Sequence, residues 1–329
     1  MRELLTMWQS TKMVVLAALT AALYGGLTVP FKALVILPGF TEIRPTVVIP
    51  VLMGIIAGPA GAWGAAIGNL IGDILGGTQG PSSAFGFIGN LGFAYTAYKL
   101  YRGPVSRELA LAEVPNEMGA TGRGPAPTWL GRLILGVLGA LVAVAAVVTW
   151  SPGEGSQAGW THYAGRVALL LAGAGLVATA TLRRWGESML PVLPTAVASS
   201  MMCGGIIGFG TEVLGSQPFG FLASIIAINN TVAIALLLPL LLPAVLPRAK
   251  RWGLLVADVL PPDDISVPRA PRMGRCLMWI GLVGLYAVGL GLYSGEFAAL
   301  PDRAGLPAAG VWPVQAPFLA LALIGLALA

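Results

Sequence analysis

Gly58-Pro59-Ala60-Gly61-Ala62-Trp63-Gly64-Ala65-Ala66-Ile67-Gly68-Asn69-Leu70-Ile71-Gly72-Asp73-Ile74-Leu75-Gly76-Gly77 reads as an apolar helix with glycine at 61, 64, 68, 72 and 76. Glycines three or four apart line one face of a helix, and such a face lets a neighbouring backbone pack very close inside a membrane. Asn69 and Asp73 are four apart in its second half, so they share a face one turn apart. An ionisable group in a lipid-spanning segment is costly and marks a functional site by default. The stretch therefore points to an all-α polytopic membrane protein with a polar site inside its bundle.

Composition agrees with that class. Hydrophobic residues make up 56% of the chain and charged residues 10%, and the mean hydropathy is +0.82, outside the range of soluble domains. The net charge of +5 does not indicate nucleic acid, because the basic residues sit between apolar runs without interleaved aromatics. Cys203 and Cys276 lie in or beside apolar runs with no metal-ligand spacing and read as small hydrophobes. Arg2 and Lys12 precede the apolar run from Met13 to Leu23, but no clear cleavage site follows it, so it is expected to be a retained first helix.

Working outward from Gly58, apolar runs divide the chain into about ten segments of membrane-helix type. They are Met13–Val29, Pro45–Ala57, Gly61–Gly76, Ser83–Tyr101, Trp129–Trp150, Tyr163–Leu182, Met189–Gly210, Phe219–Leu246, Cys276–Tyr293 and Pro313–Ala329. Pro45–Ala57 reaches only about 20 Å at the helical rise, against a hydrocarbon core of roughly 30 Å. A short helix of this kind is tolerated at membrane depth only where protein or a cavity surrounds it. With the N-terminus on the cytoplasmic side, all of the 19 Lys and Arg residues except Lys32, Arg44, Arg166 and Arg303 fall inside, as the positive-inside rule requires of a cell-membrane protein. Residues 103–128 and 248–275 read as flexible cytoplasmic tethers, rich in Gly, Pro and charge, and neither is long enough to fold a catalytic core.

The polar residues that break the apolar pattern are the candidate site. Lys32, Glu42 and Arg44 lie in the external loop before the short helix. Asp73 and Asn69 sit in the glycine-striped helix, Asn90 in the fourth span, Asn229 and Asn230 about 15 Å into the eighth span. Glu212 and Gln217 fall in the external loop 211–218. Two roles fit these side chains, ligand recognition and interhelical hydrogen bonding. The expectation is a pocket lined by Arg44, Asp73, Asn90 and Asn229 and closed by the loops around Glu42 and Gln217. Ala17, Ala18, Ala21 and Ala22 form a repeated small-xxx-small pattern suited to close approach of another helix. Walker A, HExxH and GxSxG motifs are absent, so the chain is read as a non-enzyme without catalytic residues, cofactor or metal.

Taken together, these residues resemble the substrate-binding subunit (S component) of energy-coupling factor (ECF) transporters. The matching parts are Ala17–Ala22, Arg44-Pro45 opening a short helix, Met53-Gly54-Ile55-Ile56-Ala57-Gly58-Pro59-Ala60-Gly61-Ala62 leading into the helix with Asp73, and Phe85-Gly86-Phe87-Ile88-Gly89-Asn90. Met189–Leu246, with Asn229-Asn230, is similar to the last two helices of that family. The resemblance implies a six-helix core built from residues 11–102 and 189–247, capturing a vitamin-like small molecule at the external face. It implies docking on a transmembrane coupling subunit driven by two ABC ATPase subunits, with Ala17, Ala18, Ala21 and Ala22 at that interface. The chain departs from the family by about four additional transmembrane helices, one pair inserted at 129–182 and one pair at 276–329. A stand-alone ion-coupled secondary transporter, with Asp73 as the ion site, is the alternative. A membrane enzyme or assembly scaffold is the weaker third.

Overall fold

The computed structural model describes residues 2–31, 35–37, 41–42, 44–112, 192–265, 270–293 and 312–329. The expected spans at 129–150 and 163–182 lie outside the described residues, as do Lys32, His162 and most of the tether 103–128. The described elements are almost all helical. They are α1 (Glu3–Thr6), α2 (Thr11–Phe31), α3 (Val48–Ala57), α4 (Pro59–Leu75), α5 (Ser82–Ala112), α6 (Val192–Val213), α7 (Phe219–Arg251), α8 (Val256–Val259), α9 (Pro271–Tyr293) and α10 (Trp312–Leu328). Between α2 and α3, β1 (Val35–Leu37) and β2 (Thr41–Glu42) form a small antiparallel ribbon with Val35 opposite Glu42.

Among the described residues, four helical stretches are long and apolar enough to cross a membrane: Thr11–Phe31, Val192–Val213, Phe219–Val259 and Pro271–Tyr293. Their outer faces differ from those of a soluble bundle. Val15, Leu19, Leu23 and Leu27 are exposed along α2, and Ile280, Val283 and Leu290 along α9, whereas Thr20, Thr28, Asn69, Asn90 and Asn230 are buried. Continuous apolar belts outside and polar side chains inside are what lipid selects, since lipid offers hydrogen-bonding groups no partner.

The glycine stripe of α4 does what its spacing predicts, against two neighbours. A methyl group on Gly64 would strike Thr20 and the Ala17 carbonyl, and one on Gly68 would lie 2.9 Å from the Ala21 carbonyl, so this stripe holds α2. Gly61 faces the α3 backbone at Met53 and Gly54. Gly58, with φ of +50°, reverses the chain between α3 and α4, and Pro59 opens α4 where its missing N–H costs nothing. Around this centre α5 packs on α3, α4 and α6, and α6 packs on α7.

The alanines of α2 divide into two sets. Ala17 and Ala21 are buried against α4, while Ala18 and Ala22 are exposed on the adjacent face with the leucine belt. The single docking face expected from all four is thereby corrected: steps of four keep 17 with 21 and 18 with 22, and the intervening 100° turn separates the two pairs.

The stretch expected to be a tether at 248–275 is also largely folded. α7 continues to Arg251, with Arg248, Lys250 and Arg251 in its last turn, where cations complement the helix dipole. The chain then turns back, and Leu255, Val256 and Leu260 enter the core, with Val256 against Gly58 and Tyr98. Composition suggested a solvated linker, but its Leu and Val residues find an apolar surface at the bundle's end. At this same end Glu3 of α1 is fully buried with Lys99 at 3.5 Å, and Tyr95 donates a hydrogen bond to its Oε1 at 2.8 Å.

Beyond the central bundle, α9 and α10 form a tight antiparallel pair in which Gly274, Gly281 and Gly325 bring backbones into contact. The pair packs on α6 and α7. Tyr286 of α9 donates towards the carbonyls of Met201 (3.1 Å) and Ala223 (3.2 Å), tying all three helices together.

Candidate functional site

At the end of the bundle where α2 and α4 finish and α5 and α7 begin, a cavity of about 190 Å³ opens among the helices. Tyr24 contributes from α2, Asn69 and Asp73 from α4, and Ser82, Ser83, Gly86 and Asn90 from α5. Cys203, Ile207 and Thr211 of α6 form another wall, with Leu222, Ile226, Asn229 and Asn230 of α7 completing it. Arg44, Thr78 and Ser216 enter from the connecting turns.

Each polar side chain is there for a local reason. Arg44 immediately precedes the 3₁₀ turn Pro45–Val47, whose Thr46 hydroxyl sits 3.1 Å from the Thr28 hydroxyl of α2. That buried pair pins the start of the short helix, so Arg44 is delivered to the cavity by a fixed backbone. Its guanidinium lies beside the Tyr24 phenol. Tyr24 in turn donates to Asn90 Oδ1 (3.1 Å), and Asn90 Nδ2 donates to the Gly86 carbonyl one turn back (2.9 Å). A directed chain thus runs from phenol to carboxamide to backbone carbonyl between α2 and α5, with the Arg44 cation beside its start.

The acidic side of the cavity is built the same way. Asn69 Nδ2 donates to Asp73 Oδ2 at 3.3 Å, as the four-residue spacing predicts, and Thr78 donates to Oδ1 at 3.4 Å. Gly86 is what lets α5 approach this pair: a methyl group there would lie 2.9 Å from Asn69 Nδ2. On the far wall Asn230 is only 6% exposed, and no hydrogen-bonding partner for it is found among the described residues. A buried carboxamide without a protein partner carries a desolvation cost that a ligand or water in the cavity removes.

Arg44, Asp73, Asn90 and Asn229 therefore line one cavity, four residues widely separated in the chain. Glu42 lies on β2, two residues before Arg44, and its side chain is outside the described residues. Gln217 does not line the cavity; its neighbour Ser216 does, and the expected closing role of Gln217 is corrected to that position. Glu212 faces away, into a second cleft with Phe219, Tyr293 and Gln315. Sequence reading passed over Tyr24, Cys203, Thr211, Ser82 and Ser83. Tyr24 and Cys203 looked like ordinary apolar-run residues, and short hydroxyl side chains are too common in membrane helices to stand out. Among the described residues no cluster of His, Cys, Asp and Glu is suited to hold a metal ion.

The arrangement presents a cation, a carboxylate, four carboxamides and several hydroxyls around a space of small-molecule size. Groups of this kind orient a polar solute by hydrogen bonding, and the apolar faces of Val47, Ile207, Leu222 and Ile226 offer its body a dry surface. No protein-family model, curated protein or solved structure matches the chain.

Proposed function

We propose that this protein captures a small polar molecule at the external end of a membrane bundle for import, as the substrate-binding subunit of an ECF-type ABC transporter. The observation that carries the reading is the convergence of Arg44, Asp73, Asn90 and Asn229 on one cavity in an otherwise apolar bundle. Such groups are expensive in lipid unless they are paired or bind something. In this reading α2 to α7 are the six-helix core, the N-terminus is cytoplasmic and the cavity opens outward. A coupling subunit and two ABC ATPase subunits supply the energy, since the sequence contains no Walker A motif. The exposed Ala18 and Ala22, bordered by Leu19 and Leu23, supply a close-approach face for the coupling subunit.

The test is native mass spectrometry of the protein purified from its own host, in search of a co-purifying small molecule. A bound species that is lost in Arg44→Ala and Asn90→Ala supports the reading. A protein that carries no small molecule and binds none from a host extract overturns it. One observation favours a second reading, an ion-coupled secondary transporter: Asp73 lines the same cavity and is braced by Asn69 and Thr78. Uptake that survives ATP depletion but collapses with the ion gradient would select that alternative.

A further inference from the structure

The Glu212 carboxylate joins three helices outside the cavity wall. Its Oε2 accepts the Phe219 N–H that opens α7 at 3.1 Å and the Gln315 Nε2 from α10 at 2.9 Å. Gln315 is only 1% exposed and Glu212 is half-buried, so the contact is sheltered by the packing of α6, α7 and α10. The residue before Glu212, Thr211, faces the ligand cavity, and its carbonyl accepts both the N–H (2.9 Å) and the hydroxyl (3.0 Å) of Ser216, which also lines the cavity. The α6–α7 turn is thus held from behind by Glu212 while its front forms the cavity rim. Deeper in the bundle, Tyr286 of α9 bonds the α6 and α7 backbones next to Gly204, whose sequence neighbour Cys203 lines the cavity.

We propose that the α9–α10 pair sets how far the ligand cavity opens, with Gln315 and Glu212 as positioning residues that latch the α6–α7 turn. The proposal rests on reading the cavity as the ligand site, but the latch itself is testable without a ligand. Releasing Gln315 from Glu212 frees the turn at its C-terminal support, and the rim formed by Thr211 and Ser216 swings away from Asn90 and Tyr24. Ligand access then depends on the C-terminal helices, a part of the chain that supplies no residue to the cavity among those described.

Cys203 is a native reporter, since its thiol lines the cavity and is 2% exposed. The full chain carrying Cys276→Ser is placed in lipid nanodiscs and treated with a small cationic methanethiosulfonate reagent. Gln315→Met keeps side-chain length and removes the donor; Glu212→Met removes the acceptor; Glu212→Gln keeps an acceptor oxygen. Both methionine variants should label Cys203 about tenfold faster, the factor that corresponds to roughly 1.4 kcal/mol, just under the lower end of what one hydrogen bond to a charged group contributes. Glu212→Gln should stay at the parent rate. Hydrogen exchange should quicken in the peptide 208–220 and not in 60–70. Unchanged labelling in the methionine variants, or exchange that rises equally in both peptides, overturns the latch. If Glu212→Met does not fold, the comparison of Gln315→Met with the parent carries the same two outcomes. Failure of the ligand reading shows separately, as an empty cavity in a protein whose labelling still responds to the latch.

Discussion

Asn90 accepts the Tyr24 hydroxyl beside Arg44, so its loss disturbs both ligand contact and the placement of the phenol. Removing one buried hydrogen bond costs about 0.5–1.5 kcal/mol to a neutral group and about 1.5–3 kcal/mol to a charged one. Asn90→Ala and Asp73→Asn should therefore weaken binding of the co-purifying molecule roughly threefold to a hundredfold. Titration calorimetry on protein of unchanged melting temperature checks this, and parental affinity in both variants would remove them from the site. Gly86→Ala should act through shape alone, because its methyl group crowds Asn69 Nδ2 beside Asp73. The expected result is weaker binding with helix content unchanged. At the opposite end, Lys99 is buried against Glu3. Breaking a buried pair by removing one partner costs about 3–5 kcal/mol, and replacing both is far milder. Lys99→Met should lower the melting temperature sharply, and adding Glu3→Gln should restore part of it. The polar residues of this site were legible in the sequence because asparagine and aspartate stand out against an apolar helix. Tyr24 and Cys203 were not, since the same residue types fill cores elsewhere.

Among elements, α2 carries two different alanine pairs. Ala17 and Ala21 touch the α4 backbone through Gly64 and Gly68, so tryptophan at either position has no space and should prevent folding. Ala18→Trp and Ala22→Trp point outward and should leave ligand binding of the isolated protein intact while abolishing coupled uptake. Measuring both quantities on each variant separates the faces; equal loss of binding and uptake at 18 and 22 would place those alanines inside the fold. The four-residue repeat was plain in the sequence. Which pair met α4 was not, because every side of α2 is apolar and periodicity alone distinguishes no face. The loop after α7 shows the converse limit. Its prolines and charges read as a tether, yet Leu255, Val256 and Leu260 are buried, with Val256 against Gly58.

For the whole molecule, the charge bias predicts a cytoplasmic N-terminus, an orientation that can be measured. Asp263 lies in the exposed stretch between α8 and α9. In a background without Cys203 and Cys276, Asp263→Cys should react with an impermeant maleimide only from the cytoplasmic side. Labelling in intact cells would reverse the orientation. The C-terminal pair α9–α10 is welded to α6 and α7 through Tyr286 and the glycine contacts between Gly220 and Gly289. Removal of that pair is expected to destabilise the α6–α7 side more than the α2–α4 side, which hydrogen exchange resolves by peptide.

By itself the sequence determined the all-helical, membrane-type class, the approximate limits of the described helices and the identity of the costly polar residues. Those follow from local physics: apolar run length matches a hydrocarbon thickness, glycine spacing repeats with the helical turn, and buried amides are conspicuous. Only the tertiary structure decided that Arg44, Asp73, Asn90 and Asn229 share one cavity, that Ser216 rather than Gln217 rims it, and that Glu212 turns its back on it. Such choices depend on which faces of different helices meet. In lipid, with all outer faces apolar, that is settled by close packing and hydrogen bonds between segments distant in the chain.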